Sequence, residues 1–235
     1  MIQLHNITVA FNDHLVLNNL CASVHQGDFI TIIGPNGAGK TTLFDVIAGR
    51  IQPHDGTITL DNLVVTTLNE QKRSKQISRL FQNPNTNVVP SLTVAQNLML
   101  AWKKGSPVRL KKVPQQLPQP ILERLALCNL DTEKLLKKSM STLSGGQRQT
   151  IALIMATLHI PKILLLDEPT AALDPQAATI LIGFAKKLIE QYSITTLMIT
   201  HNQELAMSLG NKLWVLKEGK IDQKFGLEKR MGMHL

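Results

Sequence analysis

The chain has 235 residues, of which 43% are hydrophobic and 4% aromatic, and it carries a formal net charge of +8. That length suits one large α/β domain, or one domain with a sizeable insertion, and the apolar share excludes an intrinsically disordered chain. So few aromatic side chains give no sign of a base-stacking surface, and no nucleic-acid partner is expected. The two cysteines, Cys21 and Cys128, lie too far apart in sequence for a disulfide framework or a zinc ligand set and read as thiols of a reducing compartment.

Residues 1–10 lack the charged start and apolar stretch of a secretory signal. They alternate as a strand instead, with Ile2, Leu4, Asn6 and Thr8 on one face. Residues 28–33 read as a buried strand ending at Gly34, followed by a glycine-rich turn and a helix from about Lys40 to Ala48 that Gly49 stops. Thr57–Leu60 and Ile77–Gln82 read as further strands, the second closed by Asn83-Pro84. Val94, Leu98, Ala101 and Trp102 then fall on one helical face, 105–120 is a Pro-, Lys- and Gln-rich loop, and helices fit 119–127 and 131–138. Ile163–Leu166 is an aliphatic run suited to a central parallel strand, Gln176–Gln191 is helical in spacing, and Ile194–Thr200 is a strand again. This order implies a doubly wound sheet interrupted by a helical insertion. A hairpin, Leu213–Leu216 and Lys220–Ile221 about Glu218-Gly219, ends the series. No apolar run approaches the roughly 18 residues of a membrane span. If the protein serves a membrane, another chain supplies the channel. The basic residues Lys103, Lys104, Arg109, Lys111 and Lys112 form one cluster, a solvated face or a surface toward an anionic membrane.

Residues 34–41, GPNGAGKT, match the G-x-x-x-x-G-K-[ST] phosphate-binding pattern in its required place between strand and helix. Gly34, Gly37 and Gly39, with Pro35, Asn36 and Ala38 between them, let backbone N–H groups curl around phosphate oxygens, and the helix offers its positive end to the same anion. Lys40 supplies a point charge at the β- and γ-phosphates. The Thr41 hydroxyl suits Mg²⁺, and Thr42 finishes the first turn. Asp167, at the end of the aliphatic strand, is expected to hold Mg²⁺ through water, and Glu168 to polarise the attacking water as general base. So far a kinase, a GTPase, a helicase or a transport ATPase would fit. Residues 143–147, LSGGQ, then place Ser144, Gly145, Gly146 and Gln147 at a second helix N-terminus. A second anion clamp in a chain that already has one suggests action across to another subunit.

With these motifs the chain resembles the nucleotide-binding subunit of ATP-binding cassette (ABC) transporters over essentially its whole length. The resemblance matches Gly34–Thr42 to the Walker A loop, Ile163–Asp167 to Walker B and Leu143–Gln147 to the family signature. It implies Phe11 as the adenine-stacking aromatic and Gln82 as the Q-loop glutamine that touches Mg²⁺ and the attacking water. It implies Glu168 as the catalytic glutamate, Asp174 as the D-loop aspartate and His201 as the switch histidine at the γ-phosphate. The implied fold is a RecA-like P-loop NTPase: a parallel sheet core with an antiparallel β subdomain and an inserted α-helical subdomain. The chain is then a single ATPase domain over 1–235, with the insertion at about 86–158. The implied cofactors are ATP and Mg²⁺. The implied partners are a second copy, paired head to tail, a separate transmembrane permease and a solute-binding protein, at the cytoplasmic side of the plasma (inner) membrane. The stretches 80–105 and 143–158 are similar to those of a bacterial tryptophan/tyrosine-type importer group, although Glu168 is followed by Pro169 where many of that group have His. Import of a small solute such as an amino acid is therefore expected. The alternatives are an exporter or lipid-extraction ATPase and a soluble ABC ATPase acting on DNA or ribosomes. A small-molecule kinase would leave LSGGQ, Gln82 and His201 without a task.

Overall fold

The structure, a computed structural model, describes residues 1–12, 14–104, 116–128 and 132–226. Arg109, Lys111 and Lys112 of the basic cluster lie outside the described residues, as does most of the loop expected at 105–120. The chain divides into two compact units. One comprises Met1–Arg79, Lys162–Glu168 and the described residues from Ser193 onward; the other comprises Leu80–Pro161 and Pro169–Tyr192. The second unit therefore takes in 169–192 as well as the stretch where the sequence places an insertion.

Two sheets build the first unit. Strands β1 (Ile2–Phe11), β2 (His14–Val24), β4 (Asp55–Leu60) and β5 (Leu63–Val64) form an antiparallel sheet of order β2-β1-β4-β5. Strands β3 (Phe29–Ile33), β6 (Ile77–Leu80), β7 (Ile163–Asp167), β8 (Thr195–Ile199), β9 (Lys212–Lys217) and β10 (Lys220–Gly226) form a second sheet of order β10-β9-β3-β8-β7-β6. Within it β3 runs parallel to β8 and β9, β7 runs parallel to β8, and β10 is antiparallel to β9. Alternation along these strands sorts the core. Ile30 and Ile32 join the cluster that contains Leu43, Phe44 and Ile47 of helix α1 (Lys40–Ala48) and Ile2, Leu4, Ile7 and Val9 of the antiparallel sheet. Ile33 and Leu213, on the opposite parity, meet Ala206. That residue belongs to a short helix, Gln203–Ser208, whose Ala206 carbonyl accepts from Thr31 Oγ1 at 2.9 Å.

The alternation expected for β1 holds only to Leu4. The buried residues are Ile2, Leu4, Ile7 and Val9, because Asn6 takes a positive φ of 54° and shifts the register by one. β2, which the sequence pattern did not reveal, has the same defect: Asn19 (φ 49°) separates Leu17 from Leu20, Ala22 and Val24 and breaks the period of two. The strand expected at 77–82 ends at Leu80, which leaves Gln82 in a loop.

The second unit is helical. After a four-residue helix in the first unit, α2 (Glu70–Arg73), come α3 (Val94–Trp102), α4 (Gln119–Ala126), α5 (Thr132–Lys137), α6 (Gly145–Thr157) and α7 (Pro175–Tyr192), and the Gln203–Ser208 helix is α8. Thr93 and Gln96 form a reciprocal capping box at α3. Arg124 of α4 is buried; it donates to the Thr157 carbonyl at the end of α6 and lies over the Tyr192 ring at 4.4 Å.

The first unit relies on a buried arginine of its own. Arg73 donates to the carbonyls of Val46 and Ile47, in the last turn of α1, at 2.8 and 2.9 Å, and to those of Leu68 and Thr66 at 2.9 and 2.8 Å. Carbonyls at a helix end lack intrahelical donors, so one guanidinium closes α1 and pins it to the segment that follows β5. Burial pulls the Arg73 pKa down to about 10, which still leaves the group charged at neutral pH. Arg73→Met strands several buried acceptors and is expected to cost about 3 kcal/mol, read as a lower urea midpoint than that of the wild type.

Candidate active site

The phosphate-binding pattern occupies the turn between β3 and α1. Gly34, Gly37 and Gly39 all take positive φ, at 156°, 80° and 97°. Gly34 also has no room for a side chain, since a Cβ there would come within 2.1 Å of the Leu216 carbonyl oxygen. Pro35, Asn36 and Gly37 are exposed, whereas Ala38, Gly39 and Lys40 are buried. Lys40 is only 6% exposed and folds back over its own loop, donating from Nζ to the carbonyls of Gly34 at 2.8 Å and Pro35 at 3.0 Å. Burial lowers its pKa from the ordinary lysine value, and the nearby Glu168 and Asp167 carboxylates oppose that shift. Thr41 is exposed and Thr42 half-buried at the first turn of α1.

Support for this turn comes from a distant part of the chain. Glu218 and Gly219, in the hairpin between β9 and β10, both have positive φ, the geometry of a tight two-residue hairpin turn. The Gly219 N–H donates to the Ala38 carbonyl at 3.2 Å, and its own carbonyl accepts from the Asn18 N–H of β2 at 3.1 Å. A Cβ on Gly219 would come within 2.4 Å of the Val16 carbonyl oxygen.

Because β3, β8 and β7 are parallel neighbours, their C-terminal ends share one sheet edge. That edge carries the glycine turn, then Asp167, Glu168 and His201. Asp167 is buried as the last residue of β7, and its Oδ2 accepts from Arg79 Nη2 at 2.5 Å. Glu168 leaves the strand in the left-handed region, φ 47°, a strain of about 1–3 kcal/mol for a residue with a Cβ. Its N–H still reaches the Ile199 carbonyl at 3.0 Å. The side chain turns to His201, with Oε1 to Nε2 at 2.7 Å. Phe11 ends β1 opposite His14 and is 46% exposed, an accessible ring at the rim of the antiparallel sheet.

The remaining candidates belong to the second unit. Ser144 N-caps α6: its hydroxyl accepts from the Gln147 N–H, and the Gln147 side chain accepts from the Ser144 N–H, both at 3.2 Å. Gly146 has no room for a Cβ, which would meet Ala177 Cβ at 2.7 Å. Asp174 is exposed and accepts from the Ala177 N–H at 2.9 Å, capping α7. Ser144, Gly146, Gln147 and Asp174 line one cavity of about 470 Å³ together with Phe184 and Lys187. Gln82 is exposed in the loop after β6. Gln149, which the motif reading passed over, is fully buried on α6 and donates from Nε2 to the Phe81 carbonyl at 2.9 Å. It thereby ties the helix of the LSGGQ turn to the residue before Gln82. Its glutamine side chain two places beyond the pattern gave only a compositional hint.

The sequence model of the ABC transporter family matches residues 17–171. The chain is 41% identical over 226 residues to a tyrosine transport ATP-binding protein of Clostridioides difficile, covering 94% of this chain and 90% of the relative. It is 34% identical over 224 residues to the spermidine/putrescine import ATP-binding protein PotA of Legionella pneumophila, covering 95% of this chain but only 58% of that relative. Among solved structures, a nucleotide-free ATP-binding cassette from an ABC transporter aligns with TM-score 0.83 at 26% identity, over 98% of this chain and 93% of the other. A dimeric post-hydrolysis cassette bound to ADP and Pi aligns with TM-score 0.79 at 28% identity, over 97% and 99%. The chain belongs to the ABC transporter family, as an ATP-binding and ATP-hydrolysing cassette with the P-loop fold.

Proposed function

We propose that this cassette is the motor of an importer for a small solute, an amino acid of the tyrosine kind. The observation that carries the catalytic part of this reading is the convergence of Lys40, Asp167, Glu168 and His201 at one sheet edge beside the glycine turn. Lys40 there meets the β- and γ-phosphates, exchanging its loop carbonyls for phosphate oxygens, and Phe11 offers its exposed ring to the adenine. Glu168 takes the proton of the attacking water, and His201 holds the Glu168 carboxylate and reaches the γ-phosphate.

Hard oxygen donors at the edge fit a magnesium ion: the exposed Thr41 hydroxyl and the Asp167 carboxylate. Among the described residues no group of three or more His, Cys, Asp or Glu side chains could hold a metal ion alone. That suits an ion carried in with phosphates, as magnesium is. When bound, it neutralises β- and γ-phosphate charge.

Ser144, Gly145, Gly146 and Gln147 at the start of α6, with Asp174 at the start of α7, close over ATP held by a second copy. The chain then works as one ATPase domain, with 86–158 its helical insertion. No helix among the described residues is long and apolar enough to cross a membrane. We therefore assign transport to a separate permease, with a solute-binding protein outside and this chain peripheral at the cytoplasmic side of the plasma (inner) membrane. The 41% identity to the tyrosine transport ATP-binding protein over nearly both lengths supports an amino-acid cargo, and the likeness to the spermidine/putrescine import ATP-binding protein supports import over export or lipid extraction.

Glu168→Gln is expected to bind ATP and to elute as a dimer in its presence. Its phosphate release should fall at least about a hundredfold, the share a general base supplies; turnover at the wild-type rate removes Glu168 from that role. The transport reading is checked by mild-detergent capture of the tagged protein from its own membranes, followed by mass spectrometry. Co-purification of a multi-span permease with a solute-binding lipoprotein is the expected result, and recovery with ribosomes or DNA overturns it.

A further inference from the structure

We propose that Arg79 is a positioning residue for the metal-binding carboxylate, braced from the opposite side by Asp45. The proposal rests on the assignment of Asp167 to magnesium made above.

Arg79 lies on β6, beside β7 in the sheet. Its guanidinium donates from Nη2 to Asp167 Oδ2 at 2.5 Å and from Nη1 to Asp45 Oδ1 at 2.6 Å. It also lies over the Phe44 ring at 5.8 Å. The side chains are 5% exposed for Arg79, 9% for Asp167 and 19% for Asp45. Asp45 and Phe44 belong to α1, the helix that continues from the phosphate-binding turn. One planar fork therefore joins the strand end that presents Asp167 to the helix that follows Lys40. A guanidinium has the fixed geometry to hold two carboxylates at once, and a lysine ammonium does not. With Oδ2 held by Arg79, the Asp167 carboxylate has one orientation and its second oxygen for another partner. Loss of a group that holds a metal ligand in this way commonly costs about ten- to a hundredfold in metal affinity. Neither Arg79 nor Asp45 falls within the phosphate-binding, LSGGQ or Asp167-Glu168 motifs.

The test measures binding of a non-hydrolysable ATP analogue by calorimetry, once in EDTA and once in excess Mg²⁺. It compares the wild type with Arg79→Met, Arg79→Lys, Asp45→Asn and Asp167→Asn. The ratio of the two dissociation constants isolates the metal's share, whereas a purely structural defect moves both constants together. Arg79→Met is expected to lose at least about tenfold of that ratio, with the affinity in EDTA little changed, and Arg79→Lys to recover only part of it. A ratio in Arg79→Met equal to or above the wild-type value overturns the proposal. If Arg79→Met does not fold, Asp45→Asn carries the test. It removes the brace from outside the site and should lower the ratio in the same direction; an unchanged ratio overturns the proposal. Asp167→Asn separates the two levels of argument. A ratio preserved there removes Asp167 from the metal site altogether. A ratio lost there but preserved in Arg79→Met removes only the role of Arg79.

Discussion

Charge is expensive where water is scarce, and the first unit nevertheless buries charged groups at one sheet edge. Asp167 and Lys40 are buried there, and Glu168 is nearly so. Each of these groups has a specific partner. Asp167 has the Arg79 fork, Glu168 has His201, and Lys40 has the two loop carbonyls of Gly34 and Pro35. A buried charge without such a partner would be neutralised or would pull the chain open. The arrangement of sheet, glycine turn and α1 can be understood as the scaffold that keeps these partnerships in register. Two of these contacts are ones that, on the proposed function, a nucleotide would replace. Anionic phosphate oxygens are stronger acceptors than the loop carbonyls that Lys40 now holds, and His201 meets Glu168 at 2.7 Å.

Much of this was legible in the sequence, for reasons that can be named. β7 is a continuous aliphatic run up to Asp167, and β3 and β8 are largely apolar and buried, because both of their faces are covered; such runs need no register to be recognised. The glycine turn and the LSGGQ turn were visible because each needs small residues at fixed spacing. The antiparallel sheet was harder. Asn6 and Asn19 insert left-handed residues that reverse the alternation, so the inward face read for β1 is right only as far as Leu4, and β2 was not read at all. Within the site, long-range partners were the invisible part. Nothing near Arg79 in sequence announces that Asp45 and Asp167 lie on either side of its guanidinium. The left-handed backbone of Glu168 is equally hidden, since glutamate carries no propensity for it.

Buried arginines do similar structural work in both units. Arg73 closes the carbonyl end of α1, and Arg124 joins α4 to the ends of α6 and α7. In each case a planar, permanently charged group satisfies a carbonyl at a helix end together with other acceptors nearby. A lysine at either place could offer neither the spread nor the direction of those bonds. The structure thus relies on arginine where elements end against one another and on aliphatic packing where they run side by side.

The hydrogen bond from the Gly219 N–H to the Ala38 carbonyl has a consequence for the order of events during synthesis. The glycine turn is translated before the hairpin between β9 and β10, which carries one of the groups that hold it. At about 5–20 residues per second, roughly ten to forty seconds separate the two on the ribosome. Over that interval the turn exists as sequence without its full support. The nascent chain completes this support only as the β9–β10 hairpin folds, so the glycine turn reaches its finished form well after its motif has been made.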